Sequence, residues 1–406
     1  MTMPGMAGEV TAREVLKGLH PVDLRNLARN REVTTNFQAA AYIHRVRSRR
    51  PAGLRISADG QWSPVEKATI DGVYHSLGAQ RLIQVDVQVC VSPPVYHVRL
   101  YVPLIHAELG YMAGRAMLPA PGDWVHRPRA EITAIILPEW SEQRAVLVDM
   151  NQAASYILGS DYYGDIHNSV LRIVAGIARR RGHLALHAGS AELVAGSRPT
   201  GELRRCGLLF VGAGGAGKTT LAACSYDLDA QAGEWACIRQ DDRVILHPSG
   251  FAQGTEGQGL YVRTLGLGPQ DRPGLYAACT HEDAVLENVW VNGDGSVDFG
   301  NDVLTSNGRA IVPIRRIGGA DGQADLARCT HLFFLVRDEH LPAAGRLDAD
   351  GAAGMLPDAE SGDAELLLAF LRQNADVQSF CLNTDQAGAS EAAAIVRDIC
   401  RQGPLQ

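Results

Sequence analysis

The sequence predicts an α/β protein with mixed sheets: an α+β domain over residues 1–195, then a second α/β domain over residues 196–406 built around a glycine-rich loop. Three observations predict it. Runs that alternate apolar and polar residues fill the first half, a short apolar strand at Leu208–Val211 leads directly into Gly212–Thr219, and segments of helical periodicity separate the β-type runs in both halves. The 406 residues are enough for two domains with cores of their own, and 45 Asp+Glu against 38 Lys+Arg leave a formal charge of −7. This mild acidity argues against a general binder of nucleic-acid backbones, which relies on many unpaired cations. No apolar run reaches the roughly 18 residues of a membrane span, and Met1–Arg13 does not read as a secretory leader, so a cytoplasmic protein without membrane or nucleic-acid partners is expected. The eight cysteines, scattered and without a CxxC pair, read as reduced, packed residues rather than a disulfide framework or a zinc site.

The first fifty residues lean towards helix and end in the basic run Arg45–Arg50, which reads as a solvated face. Arg81–Val91, Tyr96–Val102, Ile132–Leu137 and Ala145–Asp149 are β-type runs bounded by turn residues, and Ser169–Arg180 has helical spacing with cations in its last turn. Leu184–Leu186 is strand-like, Val194–Glu202 reads as a loop, and Thr220–Ser225 is the helix that follows the glycine loop. Beyond it come Trp235–Ile238, a loop at Gly318–Gln323, a buried strand at His331–Val336, helices at Ala364–Gln373 and Ser390–Gln402, and a strand between them at Val377–Asn383.

Gly212-Ala-Gly-Gly-Ala-Gly-Lys-Thr219 fills every position of the G-x-x-x-x-G-K-[ST] pattern, between strand and helix as that pattern requires. Such a loop curls so that backbone N–H groups point at phosphate oxygens. Gly212, Gly214, Gly215, Ala216, Gly217, Lys218, Thr219 and Thr220 are therefore the candidate cradle, with the Lys218 ammonium for the β/γ-phosphates and the Thr219 hydroxyl for Mg²⁺. A nucleotide-using enzyme of this kind needs a carboxylate near its metal, and Asp241-Asp242 follows the next β-type run. His187, standing alone after Leu184–Leu186, reads by itself as a structural histidine.

Taken in order, Tyr162–Asn168 (YYGDIHN), Leu186–Ala191 (LHAGSA), the loop Gly212–Thr220, Asp241-Asp242, Val285–Val289 (VLENV) with Val297–Phe299, and Thr305–Arg309 (TSNGR) resemble ATP-dependent phosphoenolpyruvate carboxykinase over about residues 84–356. HPr kinase is a more distant likeness with the same kind of loop. The resemblance implies two α/β domains facing a cleft, with Tyr162 and His187 from the first and the loop and acidic pair from the second. It implies ATP and Mg²⁺, with Mn²⁺ as a second metal, and it makes His187 and Asp242 metal ligands beside Thr219. Lys218 and Arg309 become the residues that meet the transferring phosphoryl group, and Asp241 the candidate base. Tyr162, His167 and Asn168 fall at the substrate.

Departures from the family pattern shape the expected function. His167 and Asn168 replace two lysines, and Asn36, in the segment Thr34–Gln38, stands where the family has a carboxylate-binding arginine. An amide lacks the charged fork that grips a dicarboxylate. No counterpart of the family's lid or adenine loop is recognised after Leu356. The leading expectation is therefore a kinase that moves the γ-phosphoryl group of ATP to an unidentified small-molecule or protein acceptor. The alternatives are a true carboxykinase, turning oxaloacetate and ATP into phosphoenolpyruvate, CO₂ and ADP, and a non-catalytic nucleotide sensor. The sequence does not assign an oligomeric state.

Overall fold

A computed structural model describes residues 10–48, 53–198, 200–270, 272–317, 321–357, 360 and 362–402. The chain parts into two compact units that do not follow the 195/196 boundary: one comprises Met1–Gly176, Arg263–Gly266 and Cys279–Ile311, the other Ile177–Val262, Leu267–Ala278 and Val312–Gln406. Strand pairing explains the difference. Leu184–Leu186 pairs with Val244–Leu246, and Ala188–Gly196 with Leu203–Gly212, which places both with the second unit. Val285–Glu287 pairs in parallel with Ala40–Tyr42, which returns a late segment to the first.

The first unit holds a mixed sheet ordered Glu14–Leu16, Arg81–Val89, Tyr96–Pro103, Ile132–Leu137, Ala154–Leu158, Ala145–Asp149, Leu54–Ser57. Helix Pro64–Leu77 covers one face, burying Val73 and Leu77 against Leu82, Ile135, Leu147 and Tyr156. Its start is fixed by a reciprocal cap: Glu66 N–H donates to Ser63 Oγ at 3.3 Å, and Ser63 N–H donates to the Glu66 carboxylate at 3.0 Å. The opening residues are less helical than expected, with one helix at Pro21–Leu27 and strands at Glu14–Leu16, Glu32–Thr34 and Ala40–Tyr42. Arg45 is not simply solvated. It pairs with Glu139 at 2.8 Å and with buried Asp161 at 3.5 Å, while Arg49 and Arg50 lie outside the described residues.

In the second unit a six-stranded sheet runs Trp235–Gln240, Ala188–Gly196, Leu203–Gly212, His331–Val336, Gln378–Asn383, Ala344–Leu347. Its three central strands are parallel, and the register aligns Phe210, Phe333 and Phe380, whose rings stack at 5.5 and 5.6 Å. Leu209, Val211, Leu332 and Phe334 belong to a core closed by Leu367 and Phe370 of helix Asp363–Gln373. The residues read as a loop at Val194–Glu202 begin as strand, since Ala188–Gly196 forms a full antiparallel ladder with Leu203–Gly212. Of the loop expected at Gly318–Gln323, residues 318–320 lie outside the described residues. No helix among the described residues is long and apolar enough to cross a membrane.

Candidate active site

The strand Leu203–Gly212 delivers the glycine loop at the middle of the second unit's sheet. Gly215 and Gly217 have φ of 84° and 103°, values that side chains disfavour and that let the loop fold back before the helix. That helix is Lys218–Ala222, earlier than the expected Thr220–Ser225. It ends with Ala223 as its C-cap; further on, Tyr226 and Asp227 turn the chain through positive φ, and the buried Tyr226 hydroxyl donates back to Leu221 C=O at 2.5 Å. Lys218 is buried, and its ammonium donates to the carbonyls of Gly212 and Ala213 at 2.7 and 2.9 Å. The loop is braced by Thr384, whose hydroxyl donates to Ala216 C=O at 2.9 Å. Thr384 follows the strand Gln378–Asn383 and carries no local motif, so only the fold identifies it.

The acidic pair lies just past Trp235–Gln240, two strands from the loop strand. Asp242 and His187 are partly open and adjacent, with Nε2 and Oδ1 3.3 Å apart. The neighbouring strands cause this: Ala188 N–H donates to Asp242 C=O at 3.2 Å, which sets His187 beside the aspartate. His187 therefore belongs to the same unit as the loop, not to the first domain where the resemblance placed it. Asp241 is buried, which pushes its carboxyl up to about 6 with help from the negative charges of Glu256 and Asp242, against the opposing effect of a Thr219 hydrogen bond and the Lys218 charge. Glu256 is itself buried and accepts from Tyr261 N–H at 2.9 Å and from Gln240 Nε2 at 3.2 Å. Nothing local in the sequence singles out Glu256, which sits in a turn-rich stretch.

The remaining candidates lie in the first unit. Tyr162 is buried immediately before helix Tyr163–Arg180, which begins earlier than the expected Ser169. Asn307 joins Tyr162 to Arg309: its Nδ2 donates to the Tyr162 hydroxyl at 2.7 Å, and its Oδ1 accepts from Arg309 Nε and a terminal guanidinium nitrogen at 3.3 and 3.1 Å. Although the TSNGR segment is visible in the sequence, the part played by Asn307 is not. His167 is buried with its ring 5.8 Å from that of Tyr163, and Asn168 Nδ2 donates back to Gly164 C=O at 2.5 Å. The first turn is fixed by Asp165, which accepts from Ser160 Oγ and Arg144, both at 2.6 Å, and by Glu287, which accepts from Tyr163 N–H at 2.7 Å. Glu287 also takes the buried His44 ring at 2.8 Å; burial alone would lower this imidazole's pKa, but the hydrogen bond and charge of Glu287 outweigh it and raise it.

Asn307→Ala is expected to remove one hydrogen-bonding partner from both the Arg309 guanidinium and the Tyr162 hydroxyl while leaving the glycine loop unaltered. Substrate KM should rise by on the order of tenfold, equivalent to losing about one charge-assisted hydrogen bond, with ATP KM unchanged. Steady-state kinetics with each substrate varied in turn would show it, and an equal rise in both constants would count against a role confined to the first unit.

A mixed sheet whose central parallel strand ends in Gly-x-x-x-x-Gly-Lys-Thr and a short helix, with an acidic pair after a nearby strand, defines the class: an α/β protein of the glycine-loop type. Residues 122–355 match the family model for phosphoenolpyruvate carboxykinase, and the chain belongs to that family. It is 38% identical over 217 residues to the phosphoenolpyruvate carboxykinase (ATP) of Aeropyrum pernix, covering 53% of this chain and 43% of that protein. It is 26% identical over 241 residues to the glycosomal phosphoenolpyruvate carboxykinase (ATP) of Trypanosoma brucei brucei, covering 57% and 47%. With the phosphoenolpyruvate carboxykinase (ATP) of Mesorhizobium japonicum it shares 27% identity over 228 residues, covering 53% and 39%. The match spans less than half the length of each of these relatives.

Proposed function

We propose that this chain is an ATP-dependent phosphoenolpyruvate carboxykinase, converting oxaloacetate and ATP into phosphoenolpyruvate, CO₂ and ADP. The observation that carries the reading is the coincidence of the intact glycine loop with the family match over residues 122–355. Family membership favours oxaloacetate over the unidentified acceptor expected from the altered lysines and Asn36. Loss of CO₂ from oxaloacetate leaves its electron pair in the enolate of pyruvate. The enolate oxygen then bonds to the γ-phosphorus as the bond to the ADP oxygen breaks, so atoms and charges balance.

The donor set fits divalent cations. His187 and Asp242 bring an imidazole and a carboxylate within 3.3 Å of each other, a pair suited to Mn²⁺, and Thr219 bonded to Asp241 offers oxygens suited to Mg²⁺. Such a cation, when bound, supplies positive charge to the transferring phosphoryl oxygens. On ATP binding the Lys218 ammonium exchanges the carbonyls of Gly212 and Ala213 for phosphate oxygens, and the loop N–H groups close round the same anion. In the first unit Arg309, steadied by Asn307, offers a guanidinium to substrate charge, and Tyr162 a phenol. No hydroxyl is deprotonated in the carboxykinase reaction, so there Asp241 orients Thr219 rather than acting as a base.

A second reading, phosphoryl transfer to a hydroxyl acceptor, is favoured by one observation: Asn168 turns its amide back to Gly164 where the family pattern has a lysine. A coupled assay for phosphoenolpyruvate with oxaloacetate, ATP and Mn²⁺ decides between the two. Product that depends on all three establishes the carboxykinase. No product, together with Lys218-dependent transfer of label from γ-labelled ATP to another metabolite or protein fraction, establishes the second reading; ATP binding without turnover in either assay identifies a nucleotide sensor.

A further inference from the structure

Three side chains that the site does not use converge in the second unit. Cys206 lies on the strand leading to the glycine loop, His331 opens the neighbouring parallel strand, and Cys400 sits on the closing helix Ala389–Gln402. All three are buried, and two sulfurs and a ring nitrogen lie within 4.8 Å of one another. The histidine gives independent evidence. Its Nδ1 is held by Thr330 Oγ1 at 2.8 Å, a hydroxyl also 3.2 Å from Gly207 C=O. Nε2 is buried and without a hydrogen-bond partner, and in the tautomer that carries the proton on Nδ1 it offers a lone pair to an ion. An imidazole held through its other nitrogen by an oxygen partner is arranged as metal-binding histidines are.

We propose that Cys206, His331 and Cys400 form a buried three-ligand zinc site. Two thiolates and a neutral imidazole are soft-to-borderline donors that select Zn²⁺ over Mg²⁺ or Ca²⁺. Charge favours the divalent ion: Zn²⁺ with two thiolates is neutral, as a water-free interior requires, whereas a monovalent ion would leave a buried net charge. Sulfur and nitrogen at about 2.3 and 2.1 Å from a tetrahedral centre stand roughly 3.5–3.8 Å apart, so ligation needs a contraction on the order of an ångström. Both thiols must give up their protons to ligate, so uptake of the ion releases two protons. Burial pushes the His331 imidazole down to about 4, which keeps it neutral and able to ligate. The ion would clamp the strand entering the glycine loop to the last helix, a connection made by side chains far apart in sequence.

The test is the metal content of full-length protein purified under reducing conditions and dialysed against a chelator, measured with zinc and with Co²⁺ as a spectroscopic replacement. Wild-type chain should retain one equivalent of zinc, and the cobalt form should show thiolate-to-metal charge transfer. Cys206→Ser and Cys400→Ser should each lose both signals and melt at lower temperature, whereas Lys218→Ala, altered only in the glycine loop, should keep them. Because no readout is catalytic, the result is independent of the proposed reaction. Metal-free wild-type protein whose melting is unmoved by added zinc overturns the site, as does copper as the retained ion. A non-reduced chain lighter by two hydrogens, with the loss mapped to Cys206 and Cys400, also overturns it by showing a disulfide.

Discussion

Lys218→Ala should lower ATP-dependent turnover by on the order of 10²–10³-fold, the usual cost of removing one preorganised donor to a transition-state oxyanion. The effect has two sources. The phosphate tail loses its cation, and the loop loses the ammonium that ties the Gly212 and Ala213 carbonyls together at 2.7 and 2.9 Å. The second source should destabilise the fold by about 1–3 kcal/mol, since the buried Gly212 carbonyl loses this donor while the exposed Ala213 can take up water. Turnover and ATP titration calorimetry measured beside a thermal melt separate the two. Unaltered turnover in a well-folded variant would mean that phosphoryl transfer does not use this loop.

Gly207→Ala should have the largest effect on stability. Gly207 lies in the strand entering the loop, where an added Cβ would come within 1.9 Å of the Arg328 carbonyl oxygen and 3.0 Å of a Leu326 methyl. The obstruction is backbone, so no rotamer relieves it. The chain there is also tied to Thr330 by a reciprocal pair of hydrogen bonds, with Gly207 N–H donating to Thr330 Oγ1 at 2.9 Å and Thr330 N–H donating to Gly207 C=O at 2.8 Å. A loss of about 3 kcal/mol is expected, at the upper end of overpacking costs. Gly293→Ala is the control, because nothing lies within 4 Å of its added Cβ. Urea unfolding monitored for both variants checks the difference, and equal midpoints would show that the strand shifts freely.

Much of the fold was legible because short apolar runs between turn residues leave little choice of conformation. Ile132–Leu137, Ala145–Asp149, Leu184–Leu186 and His331–Val336 form strands with the expected bounds. Ala188–Gly196 was not legible: its alanines, glycines and serine have little strand preference, and its extended form comes from the partners on either side. The cap at Ser63 and Glu66 is a local pattern, a serine followed three residues later by a glutamate. In the candidate site the glycine loop and acidic pair announced themselves as local patterns. The contact of His187 with Asp242 depends on which strands become neighbours, and the convergence of Cys206 with Cys400 spans 194 residues. Spacing along the chain carries no information at that range.

The return of Cys279–Ile311 to the first unit bears on how this protein is made. Ala40–Tyr42 is buried on a strand whose parallel neighbour, Val285–Glu287, leaves the ribosome far later, and His44 waits 243 residues for Glu287. During synthesis that edge stays bare while the opposite unit is already partly translated. Newly made chains thus carry an exposed template for misannealing with one another, and a cut after residue 176 would leave that edge permanently uncovered.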